Sequence, residues 1–357
     1  MPRSLLAVLP LLSLAATPLP ADRCAVARQA TGFACRETPR GVVLAADAGE
    51  AARLATYAAA GELRWHRHFG GAAIPYAVLQ TGTPEMTRAL HAAGFPIVLP
   101  WLSPAQYAAS SAESVRRATE ARAKAQGLSD PAQLKSAGDQ AIAAWQAKHP
   151  PSEWTEKEAG AVPHEVGHMW YIARYWPHAQ VDGAGHYGGP GPDWMDETAA
   201  VLMEDDRLAG ERRTQFAKYF ADRSPEGATA RTTITDLATF LHREHPAKGL
   251  QDMIAARAAG SPGSPDAPGP RILVISAEEA KGRSQIAALF YLQARLFADF
   301  LIARAGDPAV FADIGAAFGR GETIEQWLAA RGPTYHLGRT VAEVRVDWII
   351  WLEMRAT

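Results

Sequence analysis

Residues 164–168 read His164-Glu165-Val166-Gly167-His168. On an α-helix, residues four apart stand one turn above each other on nearly the same face. Two imidazoles at that spacing can share one metal ion. A glutamate one residue after the first can reach a water molecule on that metal rather than the metal itself. Zinc brings the pKa of such a water towards about 7, and the glutamate can take its proton as attack on a carbonyl begins. The spacing therefore predicts a metal centre with Glu165 as general base. Gly167 leaves room for a second element to pack against the motif, and Met169, Trp170, Tyr171 and Ile172 continue the helix in apolar residues.

A catalytic zinc takes three protein ligands and keeps one position open. The extended pattern HExxHxxGxxH is not met, because Tyr171 stands where its glycine would be and Arg174 where its third histidine would be. The remaining candidates are His178, Asp182, His186, Asp193, Asp196 and Glu197. Glu197 is the best placed. It lies in Asp193-Trp194-Met195-Asp196-Glu197-Thr198-Ala199-Ala200, which reads as the opening of a second helix with Asp193 as a possible cap. A helix packed against the first can present one carboxylate to both imidazoles. Asp193, Asp196 and Glu204 are available to orient the histidines from behind. His186 and Tyr187 lie in the segment between the ligands and could face the same site.

The HEVGH segment followed by WMDETA resembles the gluzincin metallopeptidases, and more narrowly the peptidase MA-like branch, where HExxH is followed by W-x-x-E-G/A. The resemblance implies one zinc ion bound by His164, His168 and Glu197, with Glu165 as general base. It implies a peptide or protein substrate. The later stretches 288–297, Gly321–Trp327 and Val346–Trp348 are similar to the closing helices of that branch. By the same resemblance Tyr291 is the candidate donor to the oxyanion. Three departures stand beside these likenesses. The gap between His168 and Glu197 is longer than in thermolysin-like enzymes, Thr198 replaces the commoner glycine, and no G-x-M-E-N segment precedes the motif. An aminopeptidase is therefore not implied. A non-proteolytic zinc protein and a zinc amidase acting on cell-envelope peptides are the alternatives.

The elements that must position these residues fall into three stretches. Residues 42–60 read as a strand and a helix. Ala73–Gln80 and Phe95–Leu102 are apolar runs between Gly and Pro residues and read as strands. Thr83 with Pro84 caps a helix between them. The second strand is a candidate edge along which an extended peptide could add. Ser110 and Glu113 form a capping-box pattern for a charged helix ending near Gly127, and Asp130-Pro131 opens another that runs to Lys148. From Thr155 the pattern is mostly helical. Pro163 either starts the motif helix or lies inside a longer one that begins at Thr155–Glu158. Residues 285–303 are apolar nearly all round, and 177–192 and 260–270 read as loops. The expected fold class is α+β: residues 22–110 a small α/β unit, 111–150 a helical insert, and 151–357 a mainly helical zincin-type domain. The site would lie in the cleft between the first and last of these.

Composition bounds the rest. The chain has 357 residues, 48% of them apolar, with a formal net charge of −2. This suits a globular protein with a real core and argues against a broad basic nucleic-acid surface. Residues 1–21 carry Arg3, an apolar run and then small residues, the pattern of a secretory signal peptide. The run is short for a membrane span, so no stable membrane insertion is expected after cleavage. A secreted or periplasmic location follows, and there Cys24 and Cys35, the two cysteines of the chain, should pair.

Overall fold

A computed structural model describes residues 22–179, 189–221, 234–246 and 277–356. The signal-like segment, Asp182, His186, Tyr187 and the expected loop at 260–270 lie outside the described residues. The described part is α+β, a small sheet followed by helices.

The sheet has four strands, β1 (Ala34–Glu37), β2 (Gly41–Ala45), β3 (Tyr76–Gln80) and β4 (Ile97–Trp101), in that spatial order. β1 runs antiparallel to β2, while the β2–β3 and β3–β4 pairs are parallel. Parallel neighbours need a crossover. Helix α2 (Ala48–Phe69) supplies the first and α3 (Pro84–Ala92) the second. β4 takes the edge position expected of it.

Alternation along the strands sorts their side chains between two cores. Val42, Leu44, Ala77, Leu79 and Val98 face α3 and the N-terminal helix α1 (Arg23–Thr31). The Cys24–Cys35 disulfide joins α1 to β1 on that side. Val43, Tyr76, Val78, Ile97 and Leu99 face the other way and share one apolar cluster with α2 and the later helices.

The helical pair α4 (Pro104–Ala125) and α5 (Pro131–Lys148) follows β4. Here the expected start is corrected. The capping box is formed by Ser103 and Gln106, with Pro104 in the first turn, so Ser110 and Glu113 lie inside the helix. No residue of α4 is fully buried, which suits its charged sequence.

The motif lies in α6 (Pro151–Tyr175), one helix that contains Pro163. Thr155 does not cap it; the helix begins four residues earlier at Pro151. A proline inside a helix removes a hydrogen bond and adds bulk towards the preceding turn. Gly61 of α2 lets the two helices approach closely at this point, since a Cβ there would stand 2.8 Å from the Pro163 Cβ. Trp170 ties the same helix to the sheet side. Its Nε1 donates to the Ile74 carbonyl at 3.1 Å and its ring meets Tyr76 edge-on at 5.2 Å. Near the start of α6, the buried Glu158 accepts from Trp101 Nε1 at 2.7 Å and pairs with Arg53 of α2.

α7 (Asp193–Met203) and α8 (Asp206–Ala221) come next, then a short α9 (Leu237–His242), α10 (Ala277–Ala305), α11 (Val310–Gly319), α12 (Ile324–Arg331), a 3-10 turn over Gly332–Tyr335 and α13 (Val341–Ala356). Every residue of α7 from Trp194 to Met203 is buried, with α6 on one side and α10 on another. Asp196, Glu197 and Thr198 are buried together with its apolar residues. Within α10, Ile286–Ala305 is long and apolar enough to cross a membrane by length and composition, and half of that window is buried inside the fold.

Candidate metal centre

The two motif histidines project from α6 with ring centroids 5.0 Å apart and planes nearly perpendicular. Glu197 projects from α7 between them. Its Oε1 lies 3.6 Å from His164 Nε2 and its Oε2 lies 3.7 Å from His168 Nε2. All three side chains are buried. One ligand atom from each falls within 4.8 Å of the others.

These spacings fit a shared cation. An N–H···O hydrogen bond spans about 2.7–3.2 Å. Two ligands at about 2.1 Å from one ion in tetrahedral geometry stand roughly 3.4 Å apart, closer to what is seen. The donor set of two imidazoles and one carboxylate is of the kind that zinc takes in open catalytic sites. His164, His168 and Glu197 are the residues that could hold a metal ion.

Gly167 makes the approach of the two helices possible. A Cβ there would lie 2.8 Å from Met203 Cγ and 3.1 Å from the Ala200 Cα, both on α7. The glycine sits between the ligands on the turn that faces α7, so any side chain would press the helix bearing Glu197 away.

A carboxylate stands behind each imidazole. Glu204 Oε1 is 2.9 Å from His164 Nδ1, and Asp196 Oδ1 is 3.0 Å from His168 Nδ1. Such partners favour a proton on Nδ1 and leave the Nε2 lone pair for a metal. Glu204 is itself gripped by Arg212 of α8, whose Nε donates to Oε2 at 2.6 Å and whose Nη2 pairs with Oε1. The Arg212 guanidinium lies 5.4 Å from the centroid of the Tyr291 ring. Asp193 does not cap α7; Pro192 occupies that position, and the Asp193 carboxylate instead accepts the backbone N–H of His245 at 2.6 Å.

The electrostatics follow from this ring of charges. Burial disfavours a charged His164, but Glu197 and Glu204 outweigh it and lift the imidazole to about 9. Burial likewise opposes the charge on Glu197, and the surrounding histidines, His164 foremost, hold the carboxyl below its usual range. Glu204 is lowered too, because His164 and Arg212 overcome its burial. Glu197 is thus an anion at neutral pH, as a metal ligand must be.

The sequence expectations can be placed one by one. His164, His168 and Glu197 come together. Glu165 is half-buried on the same helix, and its charge acts on His164. Tyr291 of α10 stands beside the centre, its ring 6.2 Å from that of His164. Asp196 and Glu204 lie against the Nδ1 atoms of His168 and His164, whereas Asp193 accepts from the His245 backbone N–H. His178 is exposed beyond the end of α6 and takes no part in the cluster. The named groups come from α6, α7, α8, α10 and the residues after α9; the sheet contributes none of them. Sequence reasoning missed two residues, Arg212 and His245. His245 is buried, with Nε2 3.5 Å from Glu197 Oε2. It belongs to no motif, and its 52-residue separation from Asp193 carries no periodic signal.

No protein-family model matches the chain, and no match was found among curated proteins or among solved structures.

Proposed function

We propose that this chain is an exported, zinc-dependent metallopeptidase of the gluzincin kind, with a zincin-type helical domain around the centre described above. The observation that supports it best is the convergence of Glu197 on two imidazoles that each carry a carboxylate behind them. A purely structural site has no need of the half-buried Glu165 next to the first ligand.

Zinc held by His164, His168 and Glu197 would acidify a water molecule and polarise the carbonyl under attack. The protein's own groups supply the rest. Glu165 would serve as general base towards that water and as proton donor to the departing nitrogen. Glu204 and Asp196 fix the tautomers of the two histidines. Tyr291, whose ring lies beside that of His164 with Arg212 against it, would be the donor to the developing oxyanion. The Cys24–Cys35 disulfide supports an oxidising compartment.

The test is Glu165→Gln. The variant should bind zinc as the wild type does and lose at least about a hundredfold in turnover of an unfolded protein or a peptide library, the usual scale for a general base. Peptides from the cell envelope belong in the same assay. A variant that keeps zinc and cleaves as fast as wild type would end the proposal.

A further inference from the structure

Three imidazole nitrogens surround the Glu197 carboxylate, and the motif accounts for only two. The third is His245 Nε2, 3.5 Å from Oε2, closer than His168 Nε2 to the same oxygen at 3.7 Å. His245 follows α9 and reaches the centre from a separate part of the chain. Two of its anchors are on one face of α7, since Asp193 and Glu197 are four residues apart. Asp193 takes the His245 main-chain N–H and Glu197 faces its side chain. The imidazole is walled by Phe290 edge-on at 5.1 Å and by Tyr291 at 5.5 Å, both from α10. Nearby, Gln293 Nε2 donates to the Thr235 carbonyl at 2.7 Å, just before α9. His245 is therefore a built part of the site.

We propose that His245 is a positioning residue for the Glu197 carboxylate, and that through it metal binding and the docking of residues 234–246 stabilise each other. A metal-ligating carboxylate is normally steered by donors outside the metal's own ligand set, and removing such a donor weakens metal binding about 10–100-fold. His245 Nε2 lies 3.5 Å from Oε2, the oxygen that His168 Nε2 also approaches, while Oε1 faces His164. If His245 raises the affinity for metal by some factor, metal raises the stability of the docked segment by the same factor. This rests on the metal centre proposed above, but not on peptidase activity.

The experiment uses the full chain with zinc as the probe. Zinc affinity is measured by chelator competition for wild type, His245→Ala, His245→Gln and Asp193→Asn. His245→Ala should bind zinc 10–100-fold more weakly. His245→Gln, whose amide can still donate towards Glu197, should recover part of the loss, and Asp193→Asn should fall between. The rise in Tm on adding zinc should shrink in His245→Ala. In wild type, zinc should slow amide hydrogen exchange over residues 237–245, a measurement that needs no variant to fold. Affinity in His245→Ala within twofold of wild type, or tighter, overturns the inference. So does a Tm loss that is the same with and without zinc, or exchange at 237–245 that zinc leaves unchanged. A wild-type chain that takes up no zinc overturns the metal centre and this inference together.

Discussion

At the scale of single residues, the centre is a set of charges that make sense only in combination. His164 lies between two carboxylates and keeps its proton up to about pH 9 in the metal-free chain. A raised pKa means that this proton stabilises the metal-free fold fully below about 6.5, and that the contribution is lost as pH rises through about 9. A metal needs the same nitrogen without its proton. Metal uptake at pH 7.5 should thus expel about one proton from His164, beyond any lost by bound water. Titration calorimetry in buffers of different ionisation enthalpy reads this number directly. A value near zero at pH 7.5 would contradict the arrangement of Glu197 and Glu204 around His164. The motif residues were legible in the sequence because a helix turns a four-residue spacing into proximity. Asp196 and Glu204 were visible as candidates, but choosing their partners needs the packing of α7 on α6. His245 was not legible at all, since nothing short of the tertiary fold brings it to Glu197.

At the scale of elements, the centre depends on how closely two helices approach. Gly167→Ala places a methyl group within 3.1 Å of the α7 backbone at Ala200 and 2.8 Å from Met203 Cγ. Overpacking of this kind costs about 1–3 kcal/mol. The variant should be less stable by that amount in denaturant and should bind zinc more weakly, because α7 carries Glu197. Unchanged zinc affinity with lowered stability would show that the ligands adjust independently of the helix spacing. Most elements could be read from local patterns: β3 and β4 from apolar runs bounded by Gly and Pro, α3 from Thr83-Pro84, α5 from Asp130-Pro131. α4 was misread because Ser110 and Glu113 repeat inside the helix the same S-x-x-E/Q pattern that Ser103 and Gln106 use at its start. Pro104 distinguishes the two, as proline favours the first turn. β1 is four residues long with one fully buried, too little alternation to announce a strand. The close approach of α2 to α6 at Gly61 and Pro163 is a tertiary contact that no local pattern reports.

At the scale of the molecule, the sheet and the helices share one apolar cluster that runs from Val43 and Tyr76 through α2 to α6, α7 and α10. The disulfide lies on the far face of the sheet, in the smaller cluster with Ala27 and Leu90. It closes a loop with a sequence separation of 11, for which chain entropy gives about 3 kcal/mol. Cys24→Ser with Cys35→Ser should therefore lower stability by up to that amount and leave zinc content per chain unchanged. Loss of zinc in the double variant would mean that the two cores are coupled more tightly than their separation by the sheet implies. The buried helix α7 has one last consequence. It carries the carboxylates of Asp196 and Glu197 into the interior, each beside an imidazole of α6, while the half-buried Asp193 accepts the His245 N–H. In many enzymes the reactive groups sit on loops and can drift to inert residues without harm to the fold. Here Asp196 and Glu197 are part of the buried face of α7, so replacing either with an apolar residue would leave an imidazole of α6 without its partner in the interior.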